Sequence, residues 1–109
     1  MCEHMQDKKT KLLYHAWGIN IQKPWADKET GLAPEIWGRA LDWYVVSVLD
    51  IMEHMNLEWE EYGRLASIEK EVLGAVYNYQ SKNNKLWYQV VNKEHTEGNW
   101  PESSCSMLF

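Results

Sequence analysis

The stretch PEIWGRALDWYVVSVLDIMEH, residues 34–54, establishes the helical character of the chain. From Trp37 to Met52 its apolar side chains recur at steps of three and four, which is the period of an amphipathic helix. Proline is favoured at the first helical position, where its missing N–H costs nothing. The pattern therefore predicts a helix from Pro34 to about His54. Its apolar stripe consists of Trp37, Leu41, Tyr44, Val45, Val48, Leu49 and Met52.

Working outward, a break at Asn56 and Leu57 precedes a second helical pattern from about Trp59 to Gln80. Two long helices joined by a short link usually fold back as an antiparallel hairpin, so we predict an all-α fold. Charged residues are expected on the outer faces: Asp42, Asp50 and Glu53 on the first helix, and Arg64, Glu69, Lys70 and Glu71 on the second. The predicted inner face of the second helix consists of Leu65, Ile68, Val72, Ala75, Val76 and Tyr79.

The remaining segments are short. Residues 1–10 are polar and predict a disordered or frayed start, and 18–32 and 92–99 predict loops. Residues 11–17 and 86–91 are predicted to be extended, and the run Pro-Glu-Ser-Ser at 101–104 predicts a new helix. We find no internal repeat. The last apolar residues follow that helix start closely, with nothing yet to bury them, so the chain is expected to be cut from a longer one.

Composition excludes several classes of protein. The chain has 109 residues, a net charge of −5, 45% hydrophobic residues and no apolar run long enough for a membrane span. An acidic chain without a basic cluster is a poor nucleic-acid binder. Its two cysteines, Cys2 and Cys105, favour free thiols in a reducing compartment, and no secretory signal is recognised at residues 1–10. We therefore predict a cytoplasmic protein with no nucleic-acid or membrane partner.

A candidate anion site lies at the start of the first helix. Glu35, Arg39 and Trp43 are spaced by four, so in a helix they share one face, where a guanidinium could bind a carboxylate beside an indole. The alternative is a surface ion pair between Glu35 and Arg39, worth about 0.3–0.5 kcal/mol, with Trp43 in the core. His15 could act as an acid, a base or a hydrogen-bond partner of a sugar; the alternative is a packed, hydrogen-bonded histidine. No zinc signature is present, so no metal or other cofactor is predicted.

Five motifs resemble one known family. They are His-Ala-Trp at 15–17, Trp-Ala-Asp-Lys-Glu-Thr-Gly at 25–31, Trp-Gly-Arg-Ala-Leu-Asp-Trp at 37–43, Leu-Trp-Tyr-Gln-Val-Val at 86–91 and Asn-Trp-Pro-Glu-Ser-Ser at 99–104. In this order they resemble the unsaturated glucuronyl and rhamnogalacturonyl hydrolases, glycoside hydrolase families 88 and 105. The resemblance covers the chain from about residue 11. It implies that residues 11–109 are a partial six-hairpin domain, part of an (α/α)6 barrel.

The resemblance also implies an activity and a set of binding residues. The family acts on pectin- or glycosaminoglycan-derived oligosaccharides that end in an unsaturated uronic acid. An aspartic acid protonates the C4=C5 double bond, water adds at C5, and the resulting hemiketal rearranges with loss of the glycosidic bond. By this resemblance His15, Trp37, Arg39 and Trp43 line the sugar pocket.

The chain departs from the family pattern at functional positions. No segment resembles the motif of the proton-donating aspartate, so no catalytic residue is assigned and the chain alone is predicted to be inactive. The family commonly has Asp where Gly18 stands and Gly where Asp42 stands, and the Asp42 carboxylate is expected to weaken uronate binding.

Two other functions stay open. One is a non-catalytic helical protein that forms homo-oligomers through exposed barrel faces. The other is a different six-hairpin sugar enzyme such as an epimerase, which the linked motifs disfavour.

Overall fold

A computed structural model describes residues 2–20 and 23–109 of the chain. Its helices are α1 (Cys2–Met5), α2 (Gly38–Glu53), α3 (Glu60–Asn78) and α4 (Ser103–Leu108). Helix α2 packs against both α3 and α4, and the described residues pair as β-structure only in isolated bridges. This confirms the all-α prediction of an antiparallel helical hairpin. None of the helices in the described ranges is long and apolar enough to cross a membrane.

Helix α2 begins four residues later than the sequence predicts. The backbone N–H of Gly38 donates to the Gln89 carbonyl at 2.8 Å, and the N–H of Val91 donates to the Ile36 carbonyl at 3.1 Å. These bonds pair residues 36–38 with 89–91, so the chain before Gly38 is held extended instead of helical. The prediction of a helix starting at Pro34 is therefore wrong, whereas the predicted end near residue 54 is accurate to one residue.

The core lies between α2, α3 and the extended segments. Trp87 anchors it: its indole N–H donates to the Val76 carbonyl at 2.8 Å, and its ring meets Phe109 edge-on at 5.4 Å. Cys105 of α4 is fully buried, whereas Met107 and Leu108 after it are 85% and 45% exposed, as expected for last apolar residues with little to bury them. The buried cluster consists of Leu12, Leu13, Ile36, Leu41, Val45, Val72, Ala75, Val76, Trp87, Val91 and Cys105.

Two carboxyl side chains predicted to face solvent are buried. Asp42 is 0% exposed and Glu69 is 3% exposed. Asp42 lies one turn after Gly38, on the side of α2 that α4 covers. Glu69 lies one turn before Val72, on the inner face of α3. The sequence prediction failed at both positions because it used the polarity of the residue and not its angular position on the helix.

One six-residue turn occurs three times in the chain. The copies are Asp7–Leu12, Asp27–Leu32 and Ser81–Leu86. In each, the first N–H donates to the sixth carbonyl and the fifth N–H donates to the first carbonyl, at 2.8–3.0 Å. The fifth residue has a positive φ: 66° at Lys11, 74° at Gly31 and 62° at Lys85. The prediction of no internal repeat is therefore wrong: the three turns read Asp-Lys-Lys-Thr-Lys-Leu, Asp-Lys-Glu-Thr-Gly-Leu and Ser-Lys-Asn-Asn-Lys-Leu, with lysine second and leucine sixth in each.

Two predicted segments include positions outside the described residues. Met1 belongs to the predicted frayed start, and Ile21 and Gln22 belong to the predicted loop at 18–32. Elsewhere in the first segment, α1 leads into the first repeated turn, and the Tyr14 N–H donates to the Met5 carbonyl at 2.9 Å. The division of the chain at residue 11 stays a prediction.

Candidate functional site

Three of the predicted site residues lie in a row at the start of α2. The His15 ring meets the Trp37 ring edge-on, with centroids 6.1 Å apart and planes at 83°. The Arg39 guanidinium carbon lies 5.9 Å from the centroid of the same indole, within the range of a cation–π contact. Trp37 is the N-cap of α2, and a β-bridge to Val90 holds its backbone in place. The repeated turn and its extended segment thus bring His15 next to a tryptophan 22 positions away.

His15 is oriented by a backbone contact. Its Nδ1 lies 2.9 Å from the Glu35 carbonyl oxygen. A carbonyl oxygen only accepts, so Nδ1 carries the hydrogen and the neutral ring keeps Nε2 as an acceptor. The residue is exposed, yet its ring is hydrogen-bonded and contacts Trp37, so the structure leaves both the sugar-contacting role and the packed, hydrogen-bonded alternative open.

The fourth predicted residue, Trp43, lies one helical turn after Arg39. Its indole is 60% exposed, so the alternative that places Trp43 in the core is wrong. A cavity of about 260 Å³ lies beside it, lined by Arg39, Asp42, Trp43, Ser104 and Leu108. The site therefore combines a guanidinium, an exposed indole and a hydroxyl, the mixed polar and apolar lining that a sugar ring requires.

Arg39 has a fixed partner on α4. Its Nη2 lies 3.1 Å from Oε1 of Glu102, and Glu102 also caps α4, accepting hydrogen bonds from the backbone N–H groups of Ser104 and Cys105. Hydrogen bonds from Ser104, from the Cys105 backbone and from Arg39 lower the pKa of Glu102 to about 2. Glu102 is thus an anion at neutral pH that holds one edge of the guanidinium, whereas the Arg39 side chain remains half exposed.

Glu35 does not share a helix face with Arg39. It precedes α2, and its Oε2 lies 2.7 Å from Nζ of Lys93. The predicted alternative of a Glu35–Arg39 ion pair is therefore wrong, because each residue pairs with a distant partner. The same correction removes Glu35 from the predicted anion-binding face, which retains Arg39 and Trp43.

Asp42 lies against this site without a partner of its own. Among the described residues neither carboxyl oxygen has a hydrogen-bond partner. The nearby backbone N–H of Trp43 lowers the pKa of Asp42, but by less than burial raises it. Burial, aided by the Glu102 charge, raises the pKa of Asp42. Burial and its hydrogen bond to Glu102 also raise the pKa of Cys105 to about 12, so this thiol stays protonated and is a poor nucleophile.

The sequence analysis missed Glu102 and Ser104 as parts of the site. Its signal for them was the helix-start pattern at 101–104, which indicates a cap but not a contact with a residue 63 positions away. For Asp42 it predicted weakened uronate binding but not burial. Across 2–20 and 23–109, no group of three or more His, Cys, Asp or Glu side chains is arranged to hold a metal ion.

Comparisons with known proteins identify the family and the fold. The sequence profile of Glycosyl Hydrolase Family 88 matches residues 1–109. A solved structure of a family 105 glycoside hydrolase from C. acetobutylicum superposes with a TM-score of 0.93 at 36% identity, covering 97% of this chain and 29% of that one. The chain thus corresponds to part of an (α/α)6 six-hairpin barrel.

Two curated relatives are similar over most of the chain. They are Protein Atu3128 of Agrobacterium fabrum and the 24.9 kDa protein in picA locus of Rhizobium radiobacter. Each is 26% identical over 98 residues, which are 90% of this chain and 41% of the relative. The chain therefore spans less than half of the length of each of these relatives.

Proposed function

Because the chain belongs to Glycosyl Hydrolase Family 88, we propose that it carries one wall of the sugar site of an unsaturated glycuronyl hydrolase-like protein. The ligand is an oligosaccharide from pectin or glycosaminoglycan breakdown whose non-reducing end is an unsaturated uronic acid. His15, Trp37, Arg39 and Trp43 bind that sugar.

The observation that carries this proposal is the half-exposed guanidinium of Arg39, which lies near the indole of Trp37 and lines one cavity with the indole of Trp43. Nη2 of the guanidinium lies 3.1 Å from Oε1 of Glu102, and this contact fixes the orientation of the guanidinium. The remaining N–H groups match the geometry of a carboxylate. Trp43 lines the same cavity as Arg39, and the Trp37 ring centroid lies 5.9 Å from the guanidinium carbon.

We further propose that the 109-residue chain binds this oligosaccharide but does not catalyse the hydration of its C4=C5 bond. Hydration of the C4=C5 bond needs an acid that protonates C4 while water adds at C5. Around Arg39, Glu102 stays ionised because its pKa is about 2, and Glu35 is paired with Lys93. Asp42 is fully buried. These three carboxyls are poorly placed to serve as the proton donor, so the acid belongs to another part of the barrel.

An unsaturated uronic-acid disaccharide tests both parts. Tryptophan fluorescence is expected to change saturably on titration, because the ligand covers an exposed indole. Ultraviolet absorbance of the ligand's enol ether is expected to stay constant over hours. Loss of that absorbance with the purified chain would refute the inactivity proposal, and an unchanged fluorescence at millimolar ligand would refute the binding proposal.

Self-association is a second candidate function, favoured by a different observation. Large apolar side chains are exposed on α2, on α3 and on the link between them, namely Trp43, Leu49, Ile51, Leu57, Trp59 and Tyr77. Such patches drive association, here with a second copy of the chain. Light scattering tests it, and a monomer at every concentration would contradict it.

We also retain the prediction of a reducing, cytoplasmic compartment, which is consistent with the free thiol of Cys105.

A further inference from the structure

One of the five residues beside the cavity at Trp43 is itself closed off from solvent. Four of the cavity's five lining residues suit a sugar acid: a guanidinium, an indole, a hydroxyl and an aliphatic side chain. The fifth is Asp42, a carboxyl wholly removed from solvent whose oxygens have no hydrogen-bond partner in the described parts of the chain. A buried carboxylate without a partner is unfavourable, so such a group responds by keeping its proton.

Charged groups reach Asp42 from two helices. Arg39, one turn earlier on α2, favours the ionised form, and Glu102 of α4 opposes it. Cys105 of α4 also lies within electrostatic range and is neutral. Among the described residues, no titratable group of α3 acts on Asp42. Burial is the largest influence and outweighs the attraction of Arg39.

The neighbouring carboxyls of Asp42 and Glu102 therefore differ in protonation, because the pKa of Asp42 is raised and that of Glu102 is lowered. Glu102 is an anion with its oxygens occupied by Arg39 and the start of α4. Asp42 beside the same guanidinium has no such partner among the described residues, so its protonation can follow the charge of a bound ligand without supplying the proton of the reaction. Carboxyl pairs whose environments separate their protonation states are a recurrent device for proton-linked chemistry.

We propose that Asp42 is a specificity-determining residue that links occupation of this cavity by an acidic sugar to the uptake of one proton. The inference rests on the proposed function, since the ligand is the uronic acid that Arg39 binds. Neutral Asp42 leaves Arg39 with only Glu102 to balance, so a ligand carboxylate is accommodated. Ionised Asp42 adds a second fixed anion beside Arg39 and repels the ligand.

Linkage fixes the direction of the effect. The bound ligand raises the proton affinity of Asp42, so affinity for the uronate falls as pH rises above the pKa of Asp42 in the free chain. A one-proton linkage gives at most about a tenfold loss per pH unit. A neutral ligand of the same shape has no such dependence. The informative quantity is the difference in pH dependence between wild type and an Asp42 variant, because every other group is common to both proteins.

Calorimetric titrations between pH 4.5 and 8 test the proposal. The probes are an unsaturated digalacturonate and its uncharged methyl ester, and the proteins are wild type and Asp42→Asn. We expect the wild-type affinity for the acid to fall several-fold across this range more than that of Asp42→Asn. We expect the ester to show no difference in slope between the two proteins. Asp42→Gly, which introduces no buried amide, is expected to behave as Asp42→Asn does, and circular dichroism verifies the fold of each.

Each result decides the question. Equal pH slopes for the acid in wild type and both variants would overturn the role of Asp42 and leave the proposed function standing. Failure of every protein to bind either probe at any pH would overturn both.

Discussion

Arg39 and Glu102 lie 63 positions apart in the chain, yet Nη2 of the first is 3.1 Å from Oε1 of the second. This contact joins the start of α2 to the start of α4. It also makes one carboxylate serve two purposes, as the cap of α4 and as the brace of the guanidinium. The geometry of the candidate site therefore depends on the docking of the last helix.

Removal of the Glu102 carboxylate should destabilise the fold. Glu102→Ala leaves the first N–H groups of α4 uncapped, which costs about 1 kcal/mol, and we expect that loss in urea unfolding at pH 7. Glu102→Gln keeps an acceptor oxygen for the cap and should lose less. The pKa of Glu102 is lowered to about 2 from 4.5. The contribution of the Glu102 carboxylate to stability is therefore complete above about pH 4.5 and disappears as pH falls towards 2. If Glu102→Ala lost as much stability over this pH range as wild type does, this account would be contradicted.

Glu69 should make the chain less stable at higher pH. Burial raises its pKa from 4.5 to about 7, so the folded state holds a proton that the unfolded state has released. Stability therefore decreases as pH rises from about 4.5 to 7 and then levels off. Glu69→Gln should remove this loss and gain up to about 3 kcal/mol at pH 8, at about 1.4 kcal/mol per pKa unit. Urea unfolding at pH 5 and pH 8 measures it, and Glu71→Gln at an exposed position is the control.

Two tryptophans should separate binding from stability. Trp43 is 60% exposed, so Trp43→Ala should change the free energy of unfolding by no more than about 0.5 kcal/mol. It should weaken binding of the uronic-acid disaccharide by about 0.5–1.5 kcal/mol through lost ring contact. Trp87→Ala should instead cost about 3–5 kcal/mol of stability, because its side chain is buried in the core. A large loss of stability in Trp43→Ala would contradict its placement.

Two glycines with similar backbone angles should differ in cost. Gly31 and Gly98 have φ of 74° and 79°, so alanine at either position is strained by about 1–2 kcal/mol. A Cβ at Gly31 would also lie 2.6 Å from the Gly18 carbonyl oxygen, whereas at Gly98 nothing lies within 4 Å. Gly31→Ala should therefore be clearly the less stable variant in thermal unfolding. Equal losses would show that the backbone around Gly18 and the backbone around Gly31 separate easily.

The sequence pattern predicted the two long helices accurately because their apolar stripes are continuous. It misplaced the start of α2 because proline is as acceptable in an extended segment as at the first helical position. The bonds of Gly38 and Ile36 to residues 89–91 decide between the two. Those bonds join segments about 50 positions apart, and a local pattern carries no information about them.

The candidate site shows the same division. Its four proposed binding residues were predicted from motifs, and the helical spacing of Arg39 and Trp43 places both beside one cavity. The burial of Asp42 follows from where α4 packs, and the brace by Glu102 follows from how α4 is capped. Both are tertiary effects. The repeated turn is hard to see in the sequence because only its second residue, lysine, and its sixth, leucine, are the same in all three copies.

The central claim, that Arg39 recognises the carboxylate of an acidic sugar, is tested most directly by the calorimetric affinity of an unsaturated uronic-acid disaccharide for wild type, Arg39→Gln and Arg64→Gln. Arg64 is an exposed arginine of α3 away from the cavity, so its variant has the same change of charge. We predict that Arg39→Gln binds about ten- to a hundredfold more weakly than wild type, the equivalent of about 1.5–3 kcal/mol for a charged hydrogen bond. Arg64→Gln should bind as wild type does. Equal affinity in wild type and Arg39→Gln would contradict the claim.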